Sequence, residues 1–393
     1  MHRSSAVPGL CLAWILAGAV ALAAPPSSES IAKRLVESAS IQAGDVVRVS
    51  GGAKDIGLLT SIAVEVEKAG GTSFFDVVSD ESIRRICHEV PPDRDADNAA
   101  AALKLYAVET ADISVPAMTS LGLCSDVSPT RLAARGKAFQ GVNDAFNKAG
   151  IKAVNLGNGL DPIEWRAKRF GISLDQLSKL YWEGIAVDPA KLKAAADPVI
   201  RGLSGKQLTI TAANGTKLTM SIEGRRVLFS DGRITADTEK KGQTITMWLP
   251  AGDVYLAVVP GTAEGTVLVN RTWFRDEPID GLTLTVKAGK VTGMTAKSGP
   301  IDKLQAAYGA AGGAKDAFGV VNIGVNPALR APPGSKVDAT PVSGVVSIFT
   351  GDTVWAGGSD ASSWGLIGFI PAATVTVDGK TLVDKGQLKE PGA

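Results

Sequence analysis

The period of the hydrophobic pattern changes once along this chain, close to Gly205. Before that residue, apolar side chains recur three and four positions apart, as they do over residues 56–66, which predicts amphipathic helices. Short β-branched runs such as residues 46–49 alternate with these helices. Beyond Gly205, apolar and polar residues alternate with a period of two, as over residues 218–222, which predicts half-buried strands.

This change of period predicts two regions with different folds. A strand, a helix and a second strand over residues 46–78 favour a parallel pair of strands joined by a right-handed crossover. Residues 24–204 are therefore predicted to form an α/β domain with an open, mostly parallel sheet. Residues 205–393 are predicted to form a β-rich α+β domain, with a helix near Ile301–Tyr308.

The first 23 residues have the pattern of a secretory signal peptide. Arg3 precedes an apolar run from Leu10 to Ala24, and Ala21-Leu22-Ala23 supplies the small-x-small site that a signal peptidase cleaves. The run is shorter than the ~20 residues that a transmembrane helix needs. We expect cleavage near Ala23 and a secreted or periplasmic protein without a membrane span.

Composition narrows the classes of partner and of chemistry. The chain has 41 Lys plus Arg and 40 Asp plus Glu, so its positive and negative charges nearly balance. Proteins that bind nucleic acids or anionic membranes have a strongly basic surface, so this balance argues against both as partners. Cys87 and Cys124 remain after cleavage, and in an oxidising compartment such a pair forms a disulfide or stays as two thiols. Of two histidines, His2 leaves with the signal peptide, so His88 remains alone and mechanisms that need two histidines are excluded.

Several segments, taken in their order and spacing, carry a family resemblance. Leu249-Pro250-Ala251-Gly252-Asp253-Val254-Tyr255 is similar to a Pro-x-Gly-Glu-Val-Phe turn, and Ile323–Pro327 is similar to a Leu-Gly-Val-Asn-Pro segment. The other segments are Ala43–Val47, Asn214–Thr219 and Gly265–Val267. Together they resemble the thermophilic metallo-aminopeptidases of the aminopeptidase T and aminopeptidase S type. The resemblance covers most of the mature chain and implies a homodimer.

The resemblance also implies where the metal ligands belong. Enzymes of this family hold two divalent metals through two glutamates, two histidines and an aspartate, with a tyrosine nearby. The corresponding ligand positions, in chain order, are Asp253, Val320, Ser347, Ser363 and Gly365, and the tyrosine position falls at Val354 or Trp355. Asp253 alone keeps a carboxylate, one bond or ~1.5 Å shorter than that of glutamate.

These replacements predict a non-catalytic homologue that binds peptides or a protein partner and has no metal cofactor. The alternative is an active metallo-aminopeptidase that removes N-terminal residues with zinc or cobalt at an altered site around Asp253. A purely structural or interaction protein is a third interpretation. Asp253 itself fits either a remnant ligand or an ordinary turn residue.

Two further patterns have both a functional and a structural interpretation. Asp338, Asp352 and Asp360 lie near the predicted site and with Asp253 offer oxygen ligands for calcium or magnesium, or they are solvated loop residues. Residues 50–57 follow a strand and open a helix, where phosphate-binding loops occur, or they form a structural turn.

Overall fold

The computed structural model describes residues 26–236, 244–362 and 364–389, so the predicted signal peptide and Ser363 lie outside the described residues. Its helices are α1 Ser28–Ser38, α2 Ile56–Lys68, α3 Asp80–Glu89, α4 Arg94–Tyr106, α5 Pro129–Lys148, α6 Glu164–Phe170, α7 Leu174–Ala186, α8 Pro189–Gly202 and α9 Ile301–Ala310. Short 3₁₀ helices span Ala53–Asp55 and Val354–Ala356.

The strands are concentrated in the second half of the chain. They are β1 Val46–Gly52, β2 Thr72–Val78, β3 Ala111–Ser114, β4 Lys152–Leu156, β5 Gln207–Thr211, β6 Lys217–Ser221, β7 Leu228–Ser230, β8 Ile245–Leu249, β9 Asp253–Ala257, β10 Glu264–Phe274, β11 Glu277–Lys287, β12 Lys290–Thr295, β13 Phe318–Gly324, β14 Val346–Thr350, β15 Ile367–Ile370, β16 Thr374–Val377, β17 Lys380–Asp384 and β18 Gln387–Leu388.

The first sheet has the order β2-β1-β3-β4-β8, and all of its pairings are parallel. Helix α2 covers one face with Leu59, Ile62 and Val66, which lie on one side of the helix because they are three and four residues apart. Ser27 caps α1 by accepting a hydrogen bond from Ser30 N–H. The predicted α/β region with a parallel sheet is confirmed.

Strand β8 belongs to this first sheet although it follows Gly205 by about forty positions in the chain. It pairs with β4 in parallel register, with Val154 beside Met247 and Leu156 beside Leu249. The change of hydrophobic period at Gly205 lies close to the end of α8 at Gly202. It does not separate the two regions completely, because β8 comes after it and belongs to the first sheet.

The rest of the strands form two antiparallel sheets that pack against each other. The second sheet has the order β12-β11-β10-β6-β5-β16-β17-β18, and the third has the order β15-β14-β13-β9-β7. Buried aliphatic side chains fill the space between them, including Leu218 and Val267 from the second sheet and Val254, Ile323 and Ile348 from the third. The predicted β-rich second region is confirmed.

Local signals in the sequence agree with the observed elements. Ser173 and Gln176 form the capping box at the start of α7, and the Asp188 side chain caps α8 ahead of Pro189. The cysteines Cys87 and Cys124 form a disulfide that joins α3 to the segment after β3. In the described residues, no helix is long and apolar enough to cross a membrane.

Candidate functional site

Three adjacent strands of the third sheet bring the predicted site positions together on one face. Asn322 of β13 lies directly opposite Tyr255 of β9 on one side and Ser347 of β14 on the other. Side chains that are directly opposite, or two residues apart on one strand, share a face of a sheet. Asp253, Tyr255, Val320, Asn322 and Ser347 therefore share one face, which we call the site face.

Asp253 is fixed at the start of β9 by the turn that precedes it. Gly252 has a φ of +115°, and a Cβ atom there would lie 2.8 Å from the Asn326 side chain, so glycine is required. Asn326 is fully buried and donates hydrogen bonds from Nδ2 to the carbonyl oxygens of Ala251 at 2.6 Å and Gly184 at 3.0 Å. The Leu249–Tyr255 and Ile323–Pro327 segments thus lock each other in place.

The Asp253 carboxylate is partly buried and bound by a neutral donor. Asn322 donates a hydrogen bond from Nδ2 to Asp253 Oδ2 at 2.7 Å. Burial raises the pKa of Asp253 to about 6, and the hydrogen bond from Asn322 offsets part of that rise. Burial and the nearby Asp253 also raise the pKa of Tyr255. The carboxylate therefore lies in an environment that disfavours its charged form.

Two more polar atoms of the site face are buried without a partner. Asn322 is 1% exposed and Ser347 is 0% exposed. Within the described part of the chain, Asn322 Oδ1 and Ser347 Oγ accept or donate no hydrogen bond. A buried unpaired polar atom costs about 1–3 kcal/mol, and such atoms are rare in folded proteins. The site face is therefore polar where packing alone would favour aliphatic residues.

Beside this polar group, the site face is filled with apolar and aromatic side chains. Val320 packs with Ala257 and with Ala356 of the 3₁₀ helix. The Trp355 ring lies 5.2 Å from the Tyr255 ring and 5.1 Å from the ring of Phe349, measured between centroids. We call these rings, Tyr255, Phe349 and Trp355, the aromatic cluster.

Arg225 holds the 3₁₀ helix over this part of the sheet. Its Nε donates a hydrogen bond to the carbonyl oxygen of Ala257 at 2.7 Å, and its Nη2 donates one to that of Gly357 at 3.1 Å. One guanidinium thus joins β9 to the residue that follows the 3₁₀ helix. Trp355 nevertheless remains 43% exposed, so the aromatic cluster also forms part of the protein surface.

The structure places the predicted ligand positions as follows. Asp253, Val320 and Ser347 lie on the site face, and Trp355 borders it through the aromatic cluster. Gly365 lies in the segment that leads into β15, and Ser363 is outside the described residues. The β15 residues opposite Phe349 and Ser347 are Ile367 and Phe369, so apolar side chains occupy the site face there.

The four aspartates do not form the predicted oxygen-rich site. In residues 26–236, 244–362 and 364–389, no three His, Cys, Asp or Glu side chains are grouped so that they could hold a metal ion. Asp352 and Asp360 are near each other, and burial is the main cause that raises the pKa of Asp352. Burial also raises the pKa of Asp338 to about 7, and a backbone hydrogen bond offsets part of that rise.

The remaining histidine is occupied elsewhere. His88, on α3, places Nε2 3.0 Å from Asp126 Oδ1 and Nδ1 2.7 Å from the carbonyl oxygen of Arg84. Both of these contacts raise the pKa of His88. At the end of β1, a Cβ atom on Gly52 would lie 2.8 Å from the carbonyl oxygen of Ala117, so this position requires glycine.

The donor set of the site face does not fit two divalent metals. Such a pair, ~3.5–4 Å apart, needs several carboxylates or imidazoles to offset about four positive charges. Among the described residues, Asp253 is the single carboxylate of the site face, and one of its oxygens already accepts a hydrogen bond from Asn322. Ser347 offers a neutral hydroxyl, a poor ligand for zinc or cobalt, and Val320 offers no donor.

Asn322 is the site residue that the sequence analysis did not find. Its signal was a single amide in the otherwise apolar run Val320-Val321-Asn322-Ile323. Because side chains alternate along a strand, Asn322 had to lie on the same face as Val320, two residues earlier. A polar residue at such a position in a fully buried strand indicates a functional or structural contact.

Comparisons with known proteins support the family resemblance and the fold. Residues 190–315 match the family model of the thermophilic metalloproteases, M29. The fold is similar to that of wild-type AmpT from Thermus thermophilus, with a TM-score of 0.66 and 14% identity over 92% of this chain and 98% of that one. It is also similar to 2,5-dihydroxypyridine dioxygenase from Pseudomonas putida KT2440, with a TM-score of 0.55 and 14% identity over 94% and 99%.

No curated protein sequence matches the chain. At 14% identity the two solved structures show the fold, while the family model adds a sequence match within the second region. The resemblance of this chain to the metallo-aminopeptidases of the aminopeptidase T type is thus confirmed, by sequence over residues 190–315 and by fold over nearly its whole length.

Proposed function

We propose that this chain is an exported, non-catalytic homologue of the aminopeptidase T type that forms a homodimer and binds peptides at the site face. The observation that supports this proposal is the replacement of metal ligands by Val320, Ser347 and an Asp253 carboxylate that is bound by Asn322. Without a bound metal, nothing lowers the pKa of an attacking water from ~15.7 towards neutrality, so hydrolysis by the family's chemistry is not expected.

Peptide binding is supported by the chemistry next to Asp253. Asp253 is half-buried as a residue, and its carboxylate is a group that can accept hydrogen bonds from the α-ammonium group of a peptide. The aromatic cluster begins two residues further along the same face, at Tyr255, and Trp355 and Ile367 are 43% and 46% exposed. An acidic group beside an exposed apolar surface suits an amino terminus that is followed by an apolar side chain.

Export is proposed from the sequence and from the cysteines. The pattern of the first 23 residues predicts a signal peptide. The disulfide between Cys87 and Cys124 supports an oxidising compartment, because structural disulfides are rare in the cytosol. Expression of the full chain followed by amino-terminal sequencing of the extracytoplasmic product tests this, and the expected product begins at Ala24.

The peptide proposal is tested by thermal unfolding with matched ligands. A tripeptide with a free amino terminus and an apolar first residue is expected to raise the melting temperature, since binding to the native state at 100 times Kd adds about 2.7 kcal/mol. The N-acetylated tripeptide is the control and is expected to have no effect. Asp253→Ala is expected to abolish the response to the free peptide. Equal stabilisation by both peptides would contradict recognition of the ammonium group.

Elemental analysis and an aminoacyl-amide assay distinguish the non-catalytic homologue from the alternative, an active hydrolase. We expect no stoichiometric metal in the purified protein and no turnover after cobalt or zinc is added. Stoichiometric metal together with cobalt-dependent turnover that Asp253→Ala removes would establish the alternative instead.

A further inference from the structure

The two faces of the first sheet differ in polarity at β1. Val47 and Val49 are fully buried and pack with apolar residues of α1 and α2. Arg48 lies between them in the sequence, so its side chain projects from the opposite face of the sheet. Parallel sheets usually bury apolar side chains on both faces. A charged residue in the middle of β1 therefore depends on the polar groups around it.

Three carboxyl groups surround the guanidinium of Arg48. Nη2 donates a hydrogen bond to Asp112 Oδ2 at 2.7 Å. Nη1 lies 3.7 Å from Asp76 Oδ2, and Nε lies 3.5 Å from Glu109 Oε2. The Tyr106 ring, at the end of α4, has its centroid 5.2 Å from the guanidinium carbon, and its hydroxyl accepts a hydrogen bond from Nη1 at 3.4 Å. We call these five residues the arginine cluster.

Glu109 is the least solvated and the least bonded of the three carboxyl groups. Its side chain is 0% exposed, whereas that of Asp76 is 52% exposed. Asp112 accepts the hydrogen bond from Arg48 and a second one from Ser50 Oγ at 3.4 Å. Among the described residues, neither carboxyl oxygen of Glu109 has a hydrogen-bond partner. An ionised carboxylate is far more costly to bury in this way than a neutral acid.

We infer that Glu109 is a proton-controlled latch, which holds the end of α4 on the first sheet when it is protonated and releases it when it is ionised. Ionisation transfers the carboxyl proton to water and leaves three negative charges around the one positive charge of Arg48. Burial raises the pKa of Glu109 to about 7, the charge of Arg48 offsets part of this rise, and the charges of Asp112 and Asp76 add to it. An unpaired buried charge strongly destabilises the structure around it.

The end of α4 depends on the arginine cluster because apolar packing is weak there. The buried residues of α4 lie in its first half. Leu103 and Leu105, in the second half, are 40% and 53% exposed. Tyr106 is the last residue of α4, and besides the guanidinium it contacts Phe146 of α5, with 5.5 Å between the ring centroids. Segments with few buried apolar side chains open at the lowest cost in free energy, so the loss of one polar contact is enough to release this one.

The latch responds to pH in one direction. The pKa of Glu109 is raised from 4.5 to about 7 in the closed structure, and it returns towards 4.5 when the end of α4 opens and the carboxyl group is solvated. The stabilisation of the closed form is therefore complete below about pH 4.5 and is lost as pH rises through 7. Between pH 6 and pH 8 the equilibrium constant for opening is expected to rise about tenfold.

Amide hydrogen exchange over residues 103–114, measured from pH 6 to pH 8 and corrected for the intrinsic effect of pH on exchange, tests the latch. Protection in the wild type is expected to fall about tenfold. Glu109→Gln keeps the shape of the neutral acid and does not ionise, so its protection is expected to stay constant. Glu164→Gln, at an exposed position on α6, is the matched control and is expected to behave as the wild type does. Constant protection in the wild type, or an equal fall in Glu109→Gln, would overturn the latch.

Asp76→Asn tests the arginine cluster without changing a buried residue. The side chain of Asp76 is half-exposed, so this variant is expected to fold even if Glu109→Gln does not. Loss of its charge removes a repulsion on Glu109 and leaves Arg48 freer to stabilise the ionised carboxylate. The fall in protection between pH 6 and pH 8 is therefore expected to be smaller than in the wild type and to level off at a lower pH. A fall as large as that of the wild type would show that this cluster does not control the proton.

Discussion

The two faces of the third sheet are built on the same three strands and follow opposite rules. On one face, Val254, Ile323 and Ile348 are fully buried against the second sheet and carry no polar atom in their side chains. On the site face, one residue along each strand, lie Asp253, Asn322 and Ser347. The apolar side chains of the first face are those that close packing against the second sheet favours. The site face has polar side chains at buried positions where close packing would favour aliphatic ones.

The free energy cost of the buried polar atoms on the site face can be estimated approximately. Each buried unpaired polar atom costs about 1–3 kcal/mol, and Asn322 Oδ1 and Ser347 Oγ are two such atoms. Replacing Ser347 with a small apolar residue would remove part of this cost. Polar groups that destabilise a fold concentrate at functional sites, where the fold tolerates them. Stability therefore does not account for the polar groups of the site face.

The largest expected effect comes from the apolar face. Ile348→Ala removes a fully buried side chain that packs in the core between the second and third sheets, so it is expected to lower the free energy of unfolding by about 2–5 kcal/mol. Urea unfolding measures this as a lower midpoint with an unchanged m value. A loss below about 1 kcal/mol would mean that the two sheets are less tightly packed than the structure shows.

A smaller effect is expected from the ionisation of Asp253. Its pKa is raised from 3.8 to about 6 in the folded protein, so between about pH 4 and pH 6 the unfolded chain ionises first. The folded state then binds more protons, and the free energy of unfolding falls as pH rises through this window. The loss is on the order of 2 kcal/mol, because one pKa unit corresponds to ~1.36 kcal/mol and the side chain is partly solvated.

Asp253→Asn isolates this contribution. Asparagine can still accept the hydrogen bond from Asn322 but does not ionise, so its free energy of unfolding is expected to change less than that of the wild type between pH 4 and pH 7. Burial raises the pKa of Glu109 and Asp338 as well, each to about 7, and both remain in the variant, so the difference between the two curves reports Asp253. Parallel curves would show that folding does not raise the pKa of Asp253.

Much of the fold could be predicted because it depends on local periodicity. The alternation over Leu218, Met220 and Ile222 predicts β6, and the capping residues Ser173 and Asp188 predict the starts of α7 and α8. Which strands become neighbours is not a local property. The parallel pairing of β8 with β4 joins segments about ninety residues apart, and no periodicity records it.

The site was predictable to the same extent. Asp253 could be placed by the family resemblance because it lies in the Leu249–Tyr255 segment that carries it, and the resemblance also assigned a ligand position to Ser347. The hydrogen bond from Asn322 to Asp253 depends on the register between β13 and β9, which becomes visible once the strands are paired. Likewise Ile367 and Phe369 take the site face of β15 because of their pairing with β14, which the sequence pattern does not record.

The smallest expected effect is the sharpest test of the difference between the two faces. Ser347→Ala removes one buried hydroxyl that has no partner among the described residues and leaves a methyl group of nearly the same shape. The free energy of unfolding is expected to stay constant or to rise by up to about 1 kcal/mol. Ile348 is the next residue on the same strand, and Ile348→Ala is expected to lower this free energy by about 2–5 kcal/mol. Urea unfolding of the two variants in parallel measures both. A loss of 1 kcal/mol or more in Ser347→Ala would show that the Ser347 hydroxyl is hydrogen-bonded in solution, for example to a buried water, and that the polarity of the site face contributes to stability after all.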